Sequence, residues 1–243
     1  MMLNAQTADN SAIQQQINEK FENKMLISRN FHSGDHLKYN SNGILISGGK
    51  PGIWTLHAYF EPKKFQVSQK NIIISGKRLF WVYDKHAPKF SKFYSYSGNT
   101  KIEIARSSEQ NDLSGIMAAL MTVFLKNDES LADFVPSYWE KFIQRNFNEK
   151  RASTEYLGSP TNTEYSGSPI KYLPPKVQNN PMPHNYTAEA LKINLSGFVV
   201  LNVIIDEDGN VKVTDIVKPM GAGMDENTVI EIEKYWKFSP VTC

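Results

Sequence analysis

The 243-residue sequence is poor in cysteine, in long apolar runs and in charge imbalance. A single cysteine, Cys243, excludes an intrachain disulfide and any cysteine-based zinc or redox motif, although a lack of pairs does not separate cytosol from periplasm. No stretch approaches the roughly 18 apolar residues that cross a bilayer. The opening Met1-Met2-Leu3-Asn4-Ala5-Gln6-Thr7 has neither the basic n-region nor the apolar h-region of an intact signal peptide. With 27 Lys+Arg against 25 Asp+Glu, the net charge of +2 gives no electrostatic case for nucleic acid or an anionic membrane surface. What remains is the 40% hydrophobic, 21% charged mixture of a globular chain, and its 12% aromatic content suits half-buried β-structure.

Charge divides unevenly, +5 over residues 1–150 and −3 over residues 151–243. Composition changes at the same place. Thr154-Glu155-Tyr156-Leu157-Gly158-Ser159-Pro160 returns nine residues later as Thr163-Glu164-Tyr165-Ser166-Gly167-Ser168-Pro169, with Pro174-Pro175 beyond. Such a segment buries too little apolar surface to offset its ordering entropy, so residues 151–173 read as a linker. Before it, Ile13, Ile17 and Phe21 sit four apart in residues 12–23, the stripe of a short amphipathic helix within an N-terminal 1–23 segment.

Residues 24–150 read as an α+β domain built on an antiparallel sheet. Short apolar runs recur between turn signals: Met25-Leu26-Ile27, Ile44-Leu45-Ile46, Ile72-Ile73-Ile74 ending at Ser75-Gly76, and Leu79 to Tyr83. Between Gly52 and Phe60, Trp54, Leu56, Ala58 and Phe60 alternate with Thr55, His57 and Tyr59, which predicts a half-buried strand. A helix capped by Asp112 carries Leu113, Ile116, Met117, Leu120, Phe124 and Leu125 and should cover the sheet. A second helix from Pro136 carries Tyr138, Trp139, Phe142 and Ile143.

Chemistry finds no foothold. Gly-x-Ser-x-Gly, the phosphate-binding Gly-rich loops and His-Glu-x-x-His are all absent. Gly48-Gly49-Lys50-Pro51-Gly52 is wrongly ordered for phosphate and reads as a turn, and Gly34 interrupts the His32/His36 spacing that a helical metal site would need. A hydrolase hidden in this region would have to use His57 or His86. No catalytic residue, metal ligand or cofactor site is assigned.

The specific signal lies in residues 174–243. Phe198-Val199-Val200-Leu201-Asn202-Val203-Ile204-Ile205 turns at Asp208-Gly209 and returns as Val211 to Val217, a β-hairpin. Val199, Leu201, Val203 and Ile205 share one face, and the opposite face is apolar except at Asn202. Gly221 and Gly223 break the strand, Asp225 is placed to cap a helix, and Val229, Ile232 and Trp236 space that helix across the hairpin.

This order resembles the C-terminal domain of the TonB energy-transducer family over about residues 174–240. The resemblance rests on Pro183, Tyr186 and Ala190, the strand after Gly197, Ile205-Asp206 with Asp208-Gly209, Gly221-Ala222-Gly223-Met224-Asp225, and Tyr235-Trp236-Lys237-Phe238-Ser239-Pro240. It implies a small β-β-α module, non-enzymatic, in the periplasm or on the periplasmic face of the inner membrane. Its partner would be an outer-membrane transporter peptide or another envelope protein, docked by strand addition. The family places a Gln-Pro near its partner, and Asn180-Pro181 followed by Met182 stands there in this sequence. Those three residues, with Lys237, Phe238 and Ser239, are the expected partner contacts. The family also has a membrane anchor that engages an inner-membrane motor, and a last β-strand after the Trp-Lys-Phe-x-Pro segment. Neither pattern is found in this sequence, so coupling to the motor is expected only with an anchor. A hairpin edge left uncovered favours pairing with another chain, including a homodimer.

Overall fold

A computed structural model describes residues 3–21, 24–53, 55–84, 89–94, 99–107, 112–126, 129–146, 175–179 and 186–239; side chains are described for these except at 3–11, 84 and 89–94. Two compact units emerge. One comprises Met1–Val82 with Ser91–Phe134, the other Tyr83–Phe90 with Val135–Cys243. Helices and strands are mixed throughout, an α+β architecture.

The first unit opens with helix α1 (Leu3–Phe21), followed by strands β1 (Leu26–Ile27), β2 (His32–Ser33), β3 (His36–Tyr39), β4 (Leu45–Ser47), β5 (Lys50–Pro51), β6 (Tyr59–Val67), β7 (Asn71–Asp84), β8 (Lys89–Tyr94) and β9 (Thr100–Ala105). Helix α2 (Leu113–Val123) follows. The main sheet runs β1-β6-β7-β9-β3-β4, with β8 beside β7. Ile13, Ile17 and Phe21 of α1 pack with Phe65, Ile72, Ile74, Ile102, Ile104 and the Ile116–Leu120 face of α2 in one core. Removing these side chains from water is the main stabilising term, each large one contributing about 1.5–3 kcal/mol. Gln14 accepts from Val67 N–H at 2.8 Å and donates to Phe65 C=O, so α1 occupies part of the β6 edge. Asp112 caps α2 as expected, accepting from Gly115 N–H at 2.8 Å.

Three local expectations change. Thr55–His57 is a tight 3-10 turn, not strand, and the strand begins at Tyr59. Thr55 through Phe60 are all buried, so the alternation carried no facing information; Trp54 lies outside the described residues. Gly76 does not end a strand, because β7 continues through it opposite Pro62. A Cβ at Gly76 would stand 2.7 Å from the Phe60 ring and 2.2 Å from Glu61 O, so the glycine permits a close crossing inside the sheet. Finally, β3 and β9 pair in parallel, unlike the antiparallel β1–β6, β6–β7, β7–β9 and β3–β4 pairs, since no hairpin ties their directions together.

The second unit contains α3 (Ser137–Asn146), β10 (Val177–Asn179), α4 (Ala188–Lys192), β11 (Val200–Ile205), β12 (Val211–Lys218), α5 (Met224–Tyr235) and β13 (Lys237–Phe238). The helix at Pro136, which the sequence reading joins to the β-rich region, is thus grouped with the C-terminal residues. Its buried stripe explains the grouping. Trp139 is fully buried, meets Phe142 edge-on at 5.3 Å, and donates its indole N–H to Glu226 Oε1 at 3.0 Å. Arg145 forks onto Asp215 through two 3.0 Å hydrogen bonds. The linker expected at 151–173 lies outside the described residues.

Candidate partner-docking edge

The hairpin forms where the apolar pattern places it, β11 antiparallel to β12 from Val200 opposite Lys218 to Ile205 opposite Val211. Asp206 organises the turn: its carboxylate accepts from Asp208 N–H at 3.0 Å and from Asn210 N–H and Nδ2 at 2.8 Å. The Asn210 side chain, then its backbone N–H, hold this carboxyl below the usual range. Gly209 has φ +76°, and a Cβ there would lie 2.0 Å from Phe238 O, so only glycine fits both the turn and its neighbour.

The two hairpin strands have unlike environments. β12 is covered: Val211, Val213, Asp215 and Ile216 are buried, and α3 and α5 pack on it. Its backbone is also capped laterally, because Glu233 of α5 accepts from Val213 N–H at 2.9 Å and pairs with Lys212 Nζ at 3.3 Å. β11 is the reverse. Among the described residues β12 is its sole strand partner. Ile204 is 61% exposed, Val203 37%, and Phe198 just before the strand 81%. An apolar strand with one unpaired side is a template for another chain.

Asp225 does not cap α5. The residue before the helix is Gly223, which has no side chain for the task. Asp225 turns back instead, accepting from Met220 N–H at 2.6 Å and Gly221 N–H at 2.8 Å, and is wholly buried. Burial pushes its carboxyl up to about 6, against the lowering effect of those donors. The side chain thereby fixes the loop between β12 and α5.

The expected contact residues fall in three places. Lys237 and Phe238 form β13, pairing with Asn179 and Val177 of β10. Ser239 donates its N–H to Lys176 O at 2.8 Å and accepts at Oγ from Lys176 N–H at 2.9 Å. Phe238 donates its N–H to Gly209 O at 3.0 Å, and Lys237 Nζ reaches Asn210 Oδ1. The backbone of this segment is therefore engaged within the unit and ties β10 to the hairpin tip. Asn180, Pro181 and Met182 lie outside the described residues. The exposed edge residues Phe198, Val203 and Ile204 were not expected contacts, although their signal was visible: a hairpin strand apolar on both faces cannot bury both with one short helix.

Residues 182–242 match the family described as Gram-negative bacterial TonB protein C-terminal. The matched segment contains α4, β11, β12, α5 and β13. No curated protein and no solved structure matches the chain. No helix among the described residues is long and apolar enough to cross a membrane.

Proposed function

We propose that the C-terminal unit is the docking module of a non-enzymatic, TonB-like envelope protein, and that an extended segment of an outer-membrane transporter pairs along the outer side of β11. The observation that carries this reading is the contrast within the hairpin: β12 is enclosed by α3, α5 and Glu233, whereas β11 presents Val203 and Ile204 to solvent beside an edge that no strand among the described residues pairs. Main-chain hydrogen bonds supply affinity in strand addition and the side chains set register. Similarity of residues 182–242 to the TonB C-terminal family supports the transporter as partner and the periplasm, or the periplasmic face of the inner membrane, as the place. In this reading Asn180, Pro181, Met182, Lys237, Phe238 and Ser239 flank the docked segment, and the first unit has a separate task. Work from an inner-membrane motor reaches the module only through an anchor.

The test is fluorescence anisotropy of labelled transporter N-terminal peptides with the full chain. Peptides N-methylated at alternate residues should lose binding in one phase and keep it in the other, because only one set of amides faces β11. Equal binding by both N-methylated sets removes the main-chain mechanism. The same open edge also supports a second reading, pairing of β11 with a second copy. Sedimentation showing concentration-dependent dimers, with no transporter peptide bound, selects it.

A further inference from the structure

The two sides of β11 can be told apart residue by residue. Thr214 of β12 donates its hydroxyl to Asn202 C=O at 3.1 Å, and Asp206, just past the strand, donates its N–H to Asn210 O at 3.0 Å. Main-chain groups alternate sides along a strand, and both bulges in this hairpin add their extra residue to β12, so the alternation along β11 is unbroken. Asn202, Ile204 and Asp206 therefore turn their main chain toward β12. Leu201, Val203 and Ile205 turn theirs outward.

The two ends of β11 differ in kind. At its start Gly197 lies against Met220, where a Cβ would stand 3.2 Å from Sδ, and the next side chain, Phe198, is 81% exposed. At its finish come Asp206, Glu207 and Asp208. Asp206 is taken up by the turn and feels the charge of Lys237. Glu207 and Asp208 are exposed and enter no ion pair among the described residues.

We propose that β11 selects a segment of defined polarity: main-chain hydrogen bonds to Leu201, Val203 and Ile205, a basic side chain beside Glu207 and Asp208, and a large apolar side chain on Phe198. The proposal rests on the strand-docking reading and adds the chemistry of the segment that docks. Main-chain bonds alone accept any sequence, so selection falls to the two ends. A cation at the hairpin tip is attracted and an acid repelled, which gives specificity and speeds encounter. The exposed ring offers area that an apolar side chain covers without leaving a polar group unsatisfied. A strand advances about 3.3 Å per residue, so a segment of about nine residues reaches both ends.

Fluorescence anisotropy with the full chain tests this, using the labelled transporter N-terminal peptides and derivatives of each with Lys-Lys or Glu-Glu appended at one end or the other. At the end that lies by the hairpin tip, Lys-Lys should bind about tenfold more tightly than Glu-Glu at low salt, and the gap should close at high salt. At the opposite end the two should differ by less than about twofold. Glu207→Lys together with Asp208→Lys, both at exposed positions, should reverse the first preference, with circular dichroism confirming the fold. Phe198→Ala should weaken every derivative about fivefold and leave the charge preference unchanged. The same preference at both ends, a preference that survives the charge reversal, or Phe198→Ala without effect would each overturn the proposal. Parent peptides that fail to bind remove the docking reading and this inference with it, whereas parent peptides that bind without any end preference remove this inference alone.

Discussion

Replacing Arg145 by Met removes the guanidinium that faces Asp215 but keeps most of the aliphatic stem that packs α3. The Asp215 side chain is only 4% exposed, whereas that of Arg145 is 48% exposed. Breaking a fully buried pair by deleting one partner costs about 3–5 kcal/mol, while exposed pairs contribute about 0.2–1 kcal/mol. A half-exposed guanidinium on a buried carboxylate falls between, so Arg145→Met should cost about 2 kcal/mol. Asp215→Asn leaves the cation in water and one hydrogen bond available, and should cost about 1 kcal/mol. The double variant should cost less than the sum, since the second change removes a charge already orphaned by the first. Urea unfolding followed by hydrogen exchange at β12 reads the C-terminal unit directly; for a slope of about 2 kcal/mol/M, the Arg145→Met midpoint moves down about 1 M. A shift under a quarter of that, or strict additivity, would mean that α3 is not held to β12 through this pair.

Three further outcomes follow from named contacts. Asp225 has a raised carboxyl pKa, so its protonated form favours the fold: that contribution is complete below about pH 4, is lost as pH rises through about 6, and is flat above. Stability of the C-terminal unit should therefore fall between about pH 4 and about pH 6, and Asp225→Asn should flatten that fall; an unchanged slope counts against a buried carboxyl. Gly209→Ala, at φ +76° and 2.0 Å from Phe238 O, should cost about 2 kcal/mol or more and shift the Lys237 and Phe238 amide resonances, whereas a silent substitution denies the contact. Ile17→Ala, at a fully buried position on α1, should lower the stability of the first unit by about 3 kcal/mol; a loss under 1 kcal/mol would mean that α1 is not docked.

The sequence is most legible where periodicity and turn chemistry agree. Asp112 with its apolar stripe, the Ile13-Ile17-Phe21 spacing and the Asp208-Gly209 hairpin each specify an element through contacts a few residues apart, and each is found. It is least legible where a distant partner decides. The stripe Trp139, Phe142 and Ile143 announces a buried helix face, but its partners Glu226 and Asp215 stand 87 and 70 residues away from Trp139 and Arg145. Gly76 has the look of a turn because its reason, the Phe60 ring, sits on a neighbouring strand. Asp225 has the spacing of a cap, yet the loop amides of Met220 and Gly221 claim its carboxylate first. The docking edge shows the same limit. An apolar hairpin is written in residues 198–217, but which strand stays open depends on where α3, α5 and Glu233 come to rest.

Hydrogen exchange on the full chain, with and without a saturating transporter N-terminal peptide, tests that edge most directly. Strand addition predicts slowed exchange of the alternate β11 amides within Val200–Ile205 that face away from β12, with little change in α5. Protection that appears elsewhere while β11 exchanges as before would contradict it.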